Sequence, residues 1–322
     1  MQLLAQVERD RSEASVAPVV APARRRRRSR AVGRRPPHGM RWSVALSILP
    51  GTLLFLAFFV VPLGMLLVTS LADWSGLGFR FLGFDNFTRM VHDPTFWTAG
   101  RNTMLYVAAG VFVEVPLGVL AGIILAQHIP GWRAFRAILF VPFVISGAAY
   151  ALVFAIFYDP RYGLLNGALG VVGLNRHNDW LFSTGTALPA VAGTFVFILG
   201  LVIVLVMAEI ASIPQELYEA AEIDGASLVQ RQRYITLPLL RNVIGTIVLI
   251  TLLGYLALFD VVFILTKGGP NDATLTLALY AYRAYVNNAW GYASAVGIVI
   301  VLVGLVLIVA VRRLFRIGER TL

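Results

Sequence analysis

Two carboxylates stand inside otherwise uncharged apolar stretches: Glu114, between Arg101 and Arg133, and Asp260, between Arg241 and Lys267. A charge at membrane depth costs at least ~2.5–3.5 kcal/mol, so such a group faces a cavity or a partner. Glu114 sits close to Pro116, where an interhelical hydrogen bond beside a kink competes with a solute contact. Asp260 lies near the outer end of its apolar run and could bond a solute hydroxyl or pair with a neighbouring helix. Aromatic side chains near these groups, Tyr255 and Phe259 beside Asp260 and Phe195 and Phe197 beside Gly200, offer flat apolar platforms of the kind that take sugar rings. Packing and lipid contact are the commoner uses of such rings.

Other chemistries are excluded by composition. The chain has no cysteine, which removes disulfides, thiolate metal sites and cysteine nucleophiles. Its four histidines, His38, His92, His128 and His177, are scattered without metal-ligand spacing. No Gly-x-Ser-x-Gly elbow or paired-carboxylate constellation occurs. A phosphate-cradling loop ends in Gly-Lys-Ser or Gly-Lys-Thr, whereas the one lysine, Lys267, lies between Thr266 and Gly268. The chain is therefore expected to have no catalytic residues, metal or cofactor, and any nucleotide hydrolysis belongs to another polypeptide.

The elements that hold these groups follow from where the charges stop. Of 322 residues, 58% are hydrophobic and 14% charged, against about 25% charged in ordinary soluble domains. Six intervals between charges reach the ~20 residues of a spanning helix. They predict helices near residues 44–70, 103–126, 137–157, 187–208, 242–265 and 291–311. Backbone groups in hydrocarbon must be paired within their own segment, so runs of this length are helices, not barrel strands. The fold class is all-α, a polytopic membrane protein with six transmembrane helices; a soluble all-α protein would not repeat intervals of this length.

Basic residues orient the bundle. One set of connecting segments, with both termini, carries 20 of the 27 Lys and Arg, and the other carries seven. Both termini are thus expected in the cytoplasm. Residues 1–41, with five arginines from Arg24 to Arg28, lack the apolar content that offsets ordering entropy and read as a disordered cytoplasmic tail. It serves orientation, or touches anionic headgroups; nucleic acid is not an expected partner. No cleavable signal peptide is expected. Residues 42–318 form the six-helix domain, and 319–322 are a cytoplasmic end.

The segment 209–241 is the one long cytoplasmic connection within the bundle, yet its residues suit helices. Ser212, Pro214 and Gln215 predict a capped helix start. The helix runs to Ile223 and stops at Gly225, which tolerates a left-handed conformation. Ser227 is placed to cap a second short helix from Val229 to Ile235. Leu217, Ala220, Ala221 and Asp224 share one face of the first helix, and the small alanines admit close approach by another protein. The competing reading, a helix lying flat on the membrane, is opposed by Glu216, Glu219 and Glu222.

The run Glu219-Ala220-Ala221-Glu222-Ile223-Asp224-Gly225-Ala226-Ser227, followed by Ile235-Thr236-Leu237-Pro238, resembles the EAA loop of bacterial ABC importer permeases. A second set, Phe259-Asp260, Thr266-Lys267-Gly268-Gly269-Pro270 and Gly291-Tyr292-Ala293-Ser294-Ala295, resembles the carbohydrate branch of that family, the maltose and glycerol-phosphate type. Gly83-Phe84-Asp85-Asn86-Phe87 and Asn102-Thr103 fit the same pattern, so the likeness extends over about residues 44–318.

The resemblance implies a type I ABC importer permease fold in the bacterial inner membrane. It implies that Glu219, Ala220, Ala221, Asp224, Gly225 and Pro238 couple the chain to an ATPase. It also implies a second permease, two ATP-binding subunits, an extracytoplasmic solute-binding protein and a carbohydrate substrate, with ATP used by the partner. The solute pathway would use the fourth and fifth helices, with Phe195, Phe197, Gly200, Tyr255, Phe259, Asp260 and Glu114 as candidates. The rival class is a self-sufficient secondary transporter or channel in which Glu114 and Asp260 carry protons or ions.

Overall fold

A computed structural model describes residues 38–76, 78–175 and 178–315. The expected tail up to residue 37, Arg176, His177 and the end 319–322 lie outside the described residues, and the first helix, His38–Phe55, begins inside the stretch read as tail. The chain divides into two units, Met1–Phe55 and Leu56–Leu322. The first contributes that helix. The second holds everything discussed below except the start of span 1, Leu46–Phe55.

Four runs are long and apolar enough to cross a membrane: Leu46–Ser70 (span 1), Pro94–Ala126 (span 2), Ala187–Ile210 (span 4) and Trp290–Phe315 (span 6). Two bent pairs pass the same test of length and composition and make six if each is one span: Trp132–Val144 with Gly147–Phe157, bent by 106° (span 3), and Leu228–Leu239 with Arg241–Leu256, bent by 65°, the second helix of that pair being span 5. Large apolar side chains face outward on several of them, among them Phe112, Ile138, Ile156 and Val306, as a hydrocarbon surround requires.

Four of the expected helices differ from the observed ones. Span 3 is broken because Ile145 and Ser146 are extended, and Ser146 Oγ then accepts the Ala149 N–H to start the next helix. Span 4 passes through a 3₁₀ turn at Thr194–Phe197. The predicted helix over 242–265 is two helices, Arg241–Leu256 and Asp260–Leu265, so Asp260 opens a short helix instead of lying inside a span. Span 2 starts earlier than predicted, at Pro94, where Asp93 caps the Thr95 N–H at 2.8 Å.

Spans 2 and 4 approach backbone to backbone. A Cβ on Gly118 would stand 2.6 Å from Val202, and one on Gly122 2.8 Å from Val206, the small-residue spacing that lets membrane helices gain packing without a hydrophobic driving force. Tyr106, Phe195, Ile203 and Ile247 are among the largest side chains sealed inside.

One end of the bundle is tied down by polar side chains. A hairpin pairs Ala72–Trp74 with Phe79–Phe81, Ala72 opposite Phe81. Buried Asn86 donates to the Ser70 and Ala72 carbonyls, both at 2.9 Å. Asn102 donates to the carbonyls of Asp272 and Leu275, and Thr103 Oγ1 accepts the Leu277 N–H. Arg283 pairs with Asp272 and donates to the Lys267 carbonyl at 2.8 Å. The Thr266–Pro270 run is thereby a held loop, with Gly268 at φ +85° and a Cβ there only 2.7 Å from the Arg283 guanidinium.

Candidate functional site

The segment after span 4 forms a two-helix knob. Its first helix is Gln215–Ile223, capped by Pro214 with no side-chain cap bond. The expected Ser212 cap is absent because Pro214 disfavours helical backbone at Ile213, the residue before it, so no helix starts directly after Ser212; Ser212 Oγ instead donates to the Glu209 carbonyl at 2.7 Å. At the other end Gly225 has φ +77°. Its N–H donates to the Glu222 carbonyl at 3.0 Å, and the Ala226 N–H donates to the Ala221 carbonyl at 2.9 Å, the paired bonds of a Schellman stop.

Ser227 begins the second helix through a capping box with Gln230: the Ser227 N–H donates to Gln230 Oε1 at 2.7 Å, and the Gln230 N–H to Ser227 Oγ at 3.3 Å. This helix is short, Leu228–Arg231, and passes through a π turn at Gln232–Thr236 into Leu237–Leu239. Two contacts lock the knob: Glu222 to Arg231 at 3.2 Å, and the Tyr218 hydroxyl to Thr236 Oγ1 at 2.9 Å.

Glu219, Ala220, Asp224 and Gly225 are exposed together on this knob, and Ala221 is half-buried beneath them. Ile223 is 87% exposed at its tip. Pro238 lies outside the knob, exposed in the ramp to span 5, joined to it through the Tyr218–Thr236 bond. A capped, exposed helix of small and acidic residues offers a surface for another protein.

The expected pathway residues fall into two places. In the first, Tyr255 donates its hydroxyl to buried Glu114 at 2.5 Å, and the Phe195 ring lies 4.1 Å from the Tyr255 ring, centroid to centroid. Gly110 makes the room: a Cβ there would be 2.2 Å from the Tyr255 ring. These three side chains from spans 2, 4 and 5 are sealed, none more than 8% exposed. They clasp spans 2, 4 and 5 together.

In the second place, the break in span 3 meets the residues after the 3₁₀ turn of span 4 and the start of the short helix Asp260–Leu265 that follows span 5. Asp260, exposed, faces Gly147, whose added Cβ would lie 3.1 Å from Asp260 Oδ2. Gly200 seats span 4 against span 3; the space predicted beside it is taken by Phe140 and Phe143, 3.0 and 2.9 Å from its added Cβ. Phe197 packs on Phe154 at 5.4 Å, and Phe259 stacks on Phe263 at 5.2 Å. Non-helical backbone at membrane depth persists only where protein covers it or where it lines a watery cavity. Phe140, Phe143 and Gly147 were not among the sequence candidates; Ser146-Gly147 shortly after Pro142 was the available signal for a restart.

Of the histidines, His92 bonds the Thr88 carbonyl and His128 packs edge-on against Trp132; the side chain of His38 lies outside the described residues.

Residues 115–319 match the model of the family described as binding-protein-dependent transport system inner membrane component. The chain is 37% identical over 289 residues to the diacetylchitobiose uptake system permease protein NgcF of Streptomyces coelicolor, covering 83% of this chain and 81% of that one. It is 32% identical over 256 residues to the trehalose/maltose transport system permease protein MalF of Thermococcus litoralis, covering 79% and 86%. Among solved structures, a bacterial alginate ABC transporter in complex with alginate pentasaccharide-bound periplasmic protein matches with a TM-score of 0.77 and 25% identity, over 87% of this chain and 97% of that one. Shared topology, sequence identity along most of the chain and the matched family model lead to one assignment: the chain belongs to the inner-membrane components of binding-protein-dependent transport systems and is an ABC importer permease.

Proposed function

We propose that this permease imports a carbohydrate. It works beside a second permease, receives solute from an extracytoplasmic binding protein and takes its energy from two copies of a separate ATP-binding subunit. Support comes from relatives named for diacetylchitobiose and for trehalose and maltose, and from the aromatic rings and Asp260 gathered at the helix breaks. The chain itself binds no cofactor; ATP is consumed by the partner. Both termini and the knob face the cytoplasm, in keeping with the excess of arginine on that side.

The observation that carries the coupling role is the exposed knob from Gln215 to Arg231, closed at Gly225 and braced by Glu222–Arg231. In this reading Glu219, Ala220, Ala221, Asp224 and Gly225 engage the ATPase, and Pro238 holds the ramp that passes the movement to span 5. Closure of the ATPase dimer carries the knob, and the helices rearrange so that the pathway opens alternately to each side. Solute passes Phe197, Gly200, Phe259 and Asp260, while Glu114, Tyr255 and Phe195 act as the clasp that must shift.

The test is uptake into liposomes containing the assembled complex. Carbohydrate accumulation that needs ATP inside and binding protein outside is expected. Uptake by this chain alone under a proton gradient would overturn the proposal in favour of a secondary transporter.

A further inference from the structure

Behind the knob lies a cavity of about 900 Å³ that the coupling role leaves unexplained. Its two ends differ in chemistry. At the knob end Gln127, Arg136, Gln215, Tyr218, Arg231 and Gln232 line it beside apolar Ile213 and Leu228, and no acidic side chain is among the described residues that line it. Toward the membrane its wall is Ile123 of span 2 with Val204 and Met207 of span 4. Arg136 sits beside Trp132, its guanidinium carbon 6.0 Å from the ring centroid.

Arg231 supplies the sharper observation. One of its terminal nitrogens reaches Glu222, but its Nε is buried and has no hydrogen-bond partner among the described residues. A buried N–H on a charged group without an acceptor is unfavourable, and guanidinium groups suit phosphate oxygens. A cavity with donors at one end and aliphatic side chains at the other, larger than a phosphate ion needs, fits an amphiphile whose head is an anion.

We propose that this cavity holds an anionic phospholipid, its phosphate against Arg136 and Arg231 and an acyl chain along Ile123, Val204 and Met207. Basic pockets between helices on the cytoplasmic side are the expected seats for such headgroups. Because Gln215 and Tyr218 belong to the first knob helix, the lipid braces the knob from behind and makes its position depend on membrane composition. The cytoplasmic placement rests on the orientation proposed above; the binding itself does not, and the experiment reads binding alone.

The full chain, copurified with its partner subunits in mild detergent, is to be analysed for retained lipid by mass spectrometry. The delipidated complex is then titrated with phosphatidylglycerol, phosphatidylcholine or inorganic phosphate while thermal unfolding is followed. Wild type is expected to retain phosphatidylglycerol and to rise in Tm with that lipid only. Arg136→Gln, which leaves the Glu222–Arg231 pair intact, should retain about fivefold less, and the exposed Arg312→Gln as much as wild type. Equal retention in Arg136→Gln and wild type would overturn the proposal. So would a Tm rise produced by inorganic phosphate alone, or cross-links placing a partner polypeptide beside Arg136.

Discussion

The Tyr255 hydroxyl donates to the Glu114 carboxylate across 141 residues of sequence, joining span 5 to the π turn of span 2. The bond satisfies the one carboxylate that the described spans hold at depth, and it does so at the place where Gly110 lets the tyrosine ring lie against the helix backbone.

Removing one partner is therefore worse than removing both. Tyr255→Phe leaves Glu114 buried without its donor and should cost about 1–3 kcal/mol, read as a fall in Tm of the detergent-solubilised complex. Glu114→Gln keeps an acceptor and should cost less. The double variant Glu114→Leu with Tyr255→Phe should be more stable than Tyr255→Phe alone. A Tyr255→Phe protein as stable as wild type would contradict the clasp.

The crossing of spans 2 and 4 makes a second demand. Gly118→Ala forces a methyl to 2.6 Å from Val202, and overpacking of this kind typically costs about 1–3 kcal/mol. Gly167→Ala, within the helix Leu164–Val171, meets nothing within 4 Å and should leave stability unchanged or raise it by up to about 1 kcal/mol through helix propensity. Thermal unfolding of the two variants side by side checks the contrast.

At the end of the bundle that holds Asp93 and Tyr280 the prediction concerns acid. Burial of Asp93 opposes its ionised form, but the Tyr280 hydroxyl and the Thr95 amide outweigh it and hold the carboxyl below its usual range. Burial, then the bond to Asp93, keeps the Tyr280 phenol well above its own, so it remains the donor. A carboxylate whose folded pKa is depressed stabilises above its unfolded value, about 3.9, and loses that contribution as pH falls through the folded value. Tm of wild type should fall on acidification below about pH 4 more steeply than Tm of Asp93→Asn. Parallel profiles would contradict the assignment.

Much of this was legible in the sequence where a single residue dictates local backbone. Gly225 stops a helix and Ser227 starts one because left-handed geometry and a hydroxyl acceptor are needed within a turn of each. The spans were legible because charge is expelled from hydrocarbon. Ser212 misled because Pro214 shifts the start past it. The break at Ala257–Phe259 was hidden because apolar composition runs on unchanged through it, and composition does not report backbone direction. The partner of Glu114 could not be read at all, since nothing local to residue 114 points to residue 255.

The knob itself yields a functional contrast. Proline at position 225 cannot take φ +77° and removes the N–H that closes the helix on Glu222, and Glu219→Lys reverses an exposed charge. Both variants should reach the membrane in normal amount and abolish ATP-driven uptake. Normal uptake in both, measured in vesicles with matched protein content, would remove the coupling assignment.

Because the chain has no cysteine, one placed at Ile223, the 87% exposed tip of the knob, reports its neighbour directly. In the assembled complex, Ile223→Cys treated with a short bifunctional thiol reagent should cross-link to the ATP-binding subunit carrying a cysteine on its permease-facing surface, and ATP should change the yield. Absence of that product, with Ile223→Cys instead reacting with a reagent confined to the extracytoplasmic side, would contradict the account.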